Sequence, residues 1–170
     1  ALTGFNRYFK GEVAMETYTA LNQLNYGPEL SKIRAAKPDA VFIFLPGGLG
    51  INFIKQYVAA GLSKESVLFG PGFSADEDVI KAVGEPMLGM FNSSQWAHDM
   101  DNAANKKFVA DFQKEFGRLP TLYAAQAYDA AMLMDAAVRD VKGNLDNKEG
   151  VRKALEAAKF NSVRGAFKFN

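Results

Sequence analysis

The apolar pattern changes period around residue 46, and that change organises the reading of the whole chain. Ala40 to Leu45 is a continuous apolar run, rich in β-branched and aromatic residues and too short for a helix. Such a run predicts a strand buried on both faces, as in a parallel sheet. Pro46-Gly47-Gly48 then ends the ladder, because proline has no N–H to donate and glycine tolerates positive φ. From Ile51 onward, Ile51, Ile54, Tyr57 and Val58 take a helical spacing that stops at Gly61. Strand, glycine turn and helix form half of a βαβ unit. In open sheets of such units, ligands bind beyond the carboxyl ends of the strands.

The same logic runs along the rest of the chain. Ala1 to Lys10 carries Leu2, Phe5, Tyr8 and Phe9 at helical spacing, with Gly11 as a stop. Glu12 to Thr19 alternates and predicts a strand; Ala20 to Tyr26 reads as a loop, and Pro28 to Lys37 as a helix. Ser66 to Phe69 and Met87 to Phe91 predict short strands, separated by a helix over Asp76 to Val83 capped by Ser74 or Asp76. Helices are predicted over Asn105 to Phe116, Thr121 to Val141 and Lys148 to Lys159. The alanine- and methionine-rich second of these is expected to be well buried. Val163 to Phe169 alternates like a closing strand. The fold class is α/β: a doubly wound, mostly parallel sheet flanked by helices, in one domain spanning 1–170. A domain of this kind should not open on a helix, so the first strand is expected to lie outside the sequence.

Composition narrows the function classes. The 170 residues are 48% hydrophobic and 23% charged, ordinary for a globular domain. A formal charge of +1 gives nucleic acid or an anionic membrane surface no footing. With no cysteine there are no disulfides, thiolate metal sites or cysteine nucleophiles. No GxxxxGK[ST] phosphate loop occurs, and Gly48-Leu49-Gly50 meets Phe53 where a dinucleotide fingerprint needs its third glycine. Gly72-Phe73-Ser74-Ala75-Asp76 lacks the second glycine of a nucleophile elbow. His98 is the sole histidine and sits in a polar segment before a helix. No catalytic residue, cofactor site or metal site is predicted.

Four loops are expected at the carboxyl edge of the sheet: Ala20–Tyr26, Pro46–Gly50, Gly70–Ser74 and Asn92–His98. They combine hydrogen-bonding and aromatic groups with little charge, which suits a small organic ligand better than a phosphate. Gly47, Gly48, Leu49, Phe73, Ser74 and Trp96 are the candidate ligand-binding residues, and Trp96 has a second reading as a hinge-packing residue. Ordinary solvated loops, with glycine and proline serving turn geometry, are the simpler alternative.

Five stretches, in order, carry a resemblance: Phe5–Val13, Ile33–Val41, Leu45–Gly48, Tyr123–Ala131 and Val163–Phe167. Together they look like the second lobe of type I periplasmic solute-binding proteins, the leucine/isoleucine/valine-binding family of ABC importers. The resemblance implies a periplasmic receptor of about twice this size, closing on a small molecule and delivering it to a membrane permease. It implies a first lobe beyond this sequence, and a sheet position open to strand exchange with a second copy. In amino-acid-binding relatives, the turn equivalent to Gly47–Leu49 often supplies an aromatic residue. The turn equivalent to Gly70–Phe73 supplies an acid for the ligand's ammonium. Here neither is present, and Asp76 replaces the acid only by turning back from its helix. A buried ammonium without a counter-charge costs several kcal/mol, so the resemblance favours an aromatic carboxylate over a branched-chain amino acid. A ligand-sensing domain of a receptor or transcription regulator is the alternative reading.

Overall fold

The computed structural model describes residues 2–169, in which a parallel three-stranded sheet is flanked by helices. Two compact units form, meeting in sequence at Ser94 and Gln95. The sheet lies in the first unit, and three helices lie in the second.

In the first unit, α1 (Leu2–Tyr8) and α2 (Gly27–Ala36) precede β1 (Ala40–Phe42). Lys37 ends α2 in the left-handed conformation, its N–H bonded to Ile33 O, and Pro38 bars any continuation. Then come α3 (Gly47–Ala59), β2 (Val67–Pro71), α4 (Glu77–Val83) and β3 (Phe91–Ser93). The strand order is β1-β2-β3, all parallel, with Phe42 opposite Phe69 and Phe69 opposite Phe91.

One core serves this sheet. Tyr26, Leu30 and Ile33 from the α2 region, Phe53, Ile54 and Tyr57 of α3, and Val79 and Val83 of α4 cluster with Ile43 and Leu68. Ile54 and Tyr57 are fully buried, each contributing on the order of 1.5–3 kcal/mol by leaving water. Two polar links fix the register: Tyr57 Oη donates to Ser66 O at 2.8 Å, and Ser66 Oγ to Pro38 O at 2.6 Å. Gln56 pins the preceding loop, accepting from Tyr26 N–H at 2.9 Å and donating to Leu24 O at 2.8 Å.

Three sequence expectations are corrected here. The 40–45 run is buried on one face only. Val41, Ile43 and Leu45 pack on the core, while Phe42 and Phe44 are 46% and 53% exposed. The opposite face carries Val67, Phe69 and Phe91, all exposed, with Phe5 of α1 stacked on Phe42 at 5.5 Å. Glu12–Thr19 forms no strand: it has no ladder partner in the sheet, and only Met15 of its apolar residues reaches the core, Val13 and Tyr18 staying exposed. Among the described residues β1 is therefore an edge strand. The strand expected at Met87–Phe91 is displaced to Phe91–Ser93, behind a 3₁₀ turn at Glu85–Met87.

The second unit holds α5 (Ala103–Phe116), α6 (Leu122–Asp140) and α7 (Lys148–Ala157). The predicted stripe on α5 is aromatic packing: Phe108 meets Trp96, Phe112 and Tyr128, with centroids 4.7–6.1 Å away. Buried Ala137 and Ala154 accompany the packing of α6 on α7. Against expectation α6 is only half buried, with Met134 at 56% exposure. Val163–Phe169 is irregular rather than a strand. Side chains occupy its backbone groups: Asp129 accepts from Val163 N–H at 3.0 Å, and Asn102 Nδ2 donates to Val163 O at 3.0 Å.

Candidate functional site

The sheet's carboxyl edge in the first unit is built from the turns after β1, β2 and β3. The first begins earlier in the helix than the spacing predicts. Gly47 through Gly50 are the first turn of α3 and not a loop before Ile51. Gly50 is required there, since a Cβ would lie 2.5 Å from Leu45 O. Gly47 holds φ +52°, a conformation that favours glycine. Pro46 stands at the N-cap and supplies no side-chain acceptor, so the positive end of α3 faces outward past exposed Gly47 and Gly48. Leu49 is half-buried.

The second turn, Gly72–Ser74, is a 3₁₀ turn. Ser74 is fully buried and its hydroxyl donates to Leu45 O at 3.0 Å. It braces the two turns together and has no surface of its own. Gly72 is buried against the third turn: a Cβ there would meet Ser94 Oγ at 2.5 Å and Ser94 Cβ at 2.6 Å. Phe73 is half-buried and stands edge-on to Phe44, centroids 4.9 Å apart at 87°. Asn92 and Ser93 of β3 are exposed beside them.

Gly47, Gly48, Leu49, Phe73 and Ser74 thus come together on one edge. Trp96 belongs to the second unit, where it is 3% exposed. Its Nε1–H donates to Asn105 Oδ1 at 2.7 Å and its ring packs on Phe108. The Ala20–Tyr26 loop is not a strand-end turn, because no strand precedes it among the described residues. Its polar groups close on themselves, with Gln23 bonded to Ala20 N–H and Asn25 O, and Asn25 Oδ1 accepting from Gly27 N–H. Tyr26 lies in the core. The spacing missed Phe44, an aromatic on the open face two residues after β1. The continuous apolar run Ala40–Leu45 carries no signal that separates it from its buried neighbours.

Asp76 does not turn back toward this edge. It caps α4, accepting from Val79 N–H at 3.2 Å, and is itself buried. Burial raises its carboxyl above the ordinary 3.8, with the cap hydrogen bond acting in the opposite sense and the Asp78 and Glu77 charges adding to the rise. A raised native pKa means that the folded state binds the proton more tightly than the unfolded chain. The resulting stabilisation is complete below the ordinary carboxylate value and is lost as pH rises through the raised one. Asp76→Asn keeps a capping oxygen without the charge. Its stability relative to the unsubstituted protein should therefore improve as pH rises through that window, read by urea denaturation at pH 3 and pH 7. A difference that stays constant with pH would contradict the assignment.

Comparison with known proteins agrees with this architecture. The family model described as periplasmic binding protein matches residues 2–170. A Leu/Ile/Val-binding protein homolog of Brucella melitensis is 31% identical over 153 residues, covering 88% of this chain and 38% of that protein. An ABC transporter solute-binding protein of R. palustris, solved in complex with benzoate, superimposes with a TM-score of 0.93 at 36% identity. That match covers 99% of this chain and 47% of the other. A second R. palustris solute-binding protein, solved with 4-hydroxybenzoate, gives 0.86 at 26% identity, over 99% and 48% of the two chains. The chain thus spans half or less of the length of these relatives. With the family model matched over nearly its whole length, the chain belongs to the periplasmic binding protein family.

Proposed function

We propose that these residues form part of an extracytoplasmic receptor that binds an aromatic carboxylate for an ABC importer. The observation that carries the ligand class is the packing at Gly72. Ser94 fills the space of any side chain there, at the turn where the resemblance to amino-acid-binding members implies an acid. Asp76 is committed to its cap, so an ammonium at this edge has no partner from either residue. The neighbours solved with benzoate and 4-hydroxybenzoate support the same reading. Gly47, Gly48, Leu49 and Phe73 are the proposed ligand-facing residues, with Ser74 bracing them. Trp96 keeps a packing role.

On this reading the partners are another lobe of the same polypeptide and a membrane permease, and the place of action is the periplasm. The outer edge of β1 is the position a strand from a second copy would add to. Thermal-shift measurement on the full-length protein tests the ligand class. Benzoate, 4-hydroxybenzoate and cinnamate should raise the melting temperature, and leucine, isoleucine and valine should not. A ligand at 100 times its Kd stabilises by about 2.7 kcal/mol. Stabilisation by leucine with none by any aromatic acid would overturn the proposal.

A further inference from the structure

We propose that Phe44 is a specificity-determining residue of this edge, its ring forming with Phe73 a corner that selects a ligand ring over an aliphatic group of similar size. The inference rests on the aromatic-carboxylate reading above and adds a residue to it. Alternation along β1 and the extended residues after it directs Val41, Ile43 and Leu45 into the core and leaves Phe44, two residues past the end of β1, on the open face at 53% exposure. Its neighbours on that face are engaged ring to ring. Phe42 is stacked on Phe5 at 5.5 Å and 23°, and Phe69 on Phe91 at 5.4 Å and 21°. Phe44 meets Phe73 edge-on, at 4.9 Å and 87°, and with Phe44 53% exposed and Phe73 half-buried the two ring planes bound a corner with an exposed side.

The corner is held on both sides. The backbone beside Phe44 is tied at Leu45 O by Ser74 Oγ, and the turn carrying Phe73 is wedged at Gly72 against Ser94. A third ring entering the corner can lie along one plane while meeting the edge of the other, the two arrangements aromatic quadrupoles favour. A saturated ring fills the same volume without that preference. Selection by the corner therefore appears as a difference between flat and saturated rings that carry the same carboxylate.

Isothermal titration of the full-length protein with benzoate and with cyclohexanecarboxylate reads this difference. The unsubstituted protein should prefer benzoate. Phe44→Leu keeps apolar bulk and removes the ring, and should weaken benzoate by about 3- to 10-fold, the range for an aromatic pair, while changing cyclohexanecarboxylate less than about 2-fold on the same scale. Phe44→Tyr should retain the preference. Phe73→Leu removes the other wall and should repeat the Phe44→Leu result, and it replaces that variant if Phe44→Leu does not fold. An unchanged benzoate preference in Phe44→Leu, or an equal loss for both ligands, overturns the assignment and leaves the ligand class standing. Failure of the unsubstituted protein to bind benzoate or any other aromatic acid overturns both.

Discussion

Asp129→Ala should destabilise the second unit by about 3–5 kcal/mol, the range for removing one partner of a buried ion pair. Asp129 is 3% exposed on α6 and accepts three hydrogen bonds from one short segment. Ser162 Oγ donates at 2.5 Å, Val163 N–H at 3.0 Å and Arg164 Nε at 3.0 Å. Truncation leaves a fully buried Val163 amide and a partly buried guanidinium with no counter-charge. The guanidinium also stands 4.6 Å over the Phe167 ring, so its displacement loosens the segment beyond it. Asp129→Asn keeps an oxygen for Val163 and should cost about half as much, the charge-assisted part being lost. Combining Asp129→Leu with Arg164→Met removes both charges and should cost less than Asp129→Ala alone, since apolar replacement of a buried pair is often near neutral. Urea denaturation followed by circular dichroism measures the series. A loss under about 1 kcal/mol, the level of an exposed pair, would mean that the cluster is solvated in solution.

This cluster shows where sequence reading stops. Two of the stretches carrying the family resemblance, Tyr123–Ala131 and Val163–Phe167, are joined by Asp129 across 33 to 35 positions. Neither stretch announces the other. Val163–Phe169 and Glu12–Thr19 alternate as strands do, but alternation describes a half-buried surface and does not supply a ladder partner. Asp129 and Asn102 take the first segment's backbone groups, and the second packs on the core through Met15.

Local signals carried further. Asp76 at a helix start, the Phe108, Phe112 and Phe116 spacing, and Lys37 before Pro38 each depend on neighbours within a turn or two. All three lie at or within the predicted helices. That Gly47–Leu49 and Phe73–Ser74 lie beyond the carboxyl ends of strands was legible for the same reason, though the first of them is helix and not turn. Burial was not legible from an apolar run alone. Ala40–Leu45 reads the same whether one face is covered or two, and the exposed Phe44 follows from how many helices reach that face.

Asn105→Asp should be among the most damaging single-atom exchanges in the chain, exceeding Asn105→Ala. Asn105 is fully buried in the first turn of α5. Its Oδ1 accepts the Trp96 indole N–H at 2.7 Å, and its Nδ2 faces three carbonyls: Ala97 O at 3.3 Å, His98 O at 3.0 Å and Met100 O at 3.1 Å. One amide thus gathers the whole approach to α5, while Asn102 caps the helix by accepting from Asn105 N–H at 2.8 Å. Alanine removes the acceptor of the indole N–H and the donor to three carbonyls, for a loss of about 2–4 kcal/mol at 1–3 kcal/mol per buried hydrogen-bonding group deprived of its partner. Aspartate keeps the acceptor for Trp96 but turns an ionised oxygen toward three carbonyl oxygens in a dry site, a repulsion added to the desolvation of the charge. Protonating that carboxyl restores a donor, so Asn105→Asp should recover stability as pH falls below neutrality, whereas Asn105→Ala should show no such recovery. Trp96 is the chain's single tryptophan, and its emission should shift to the red in both variants as water reaches the indole. Unshifted emission, together with stability within about 1 kcal/mol of the unsubstituted protein, below the cost of one stranded buried group, would show that Asn105 does not hold the indole.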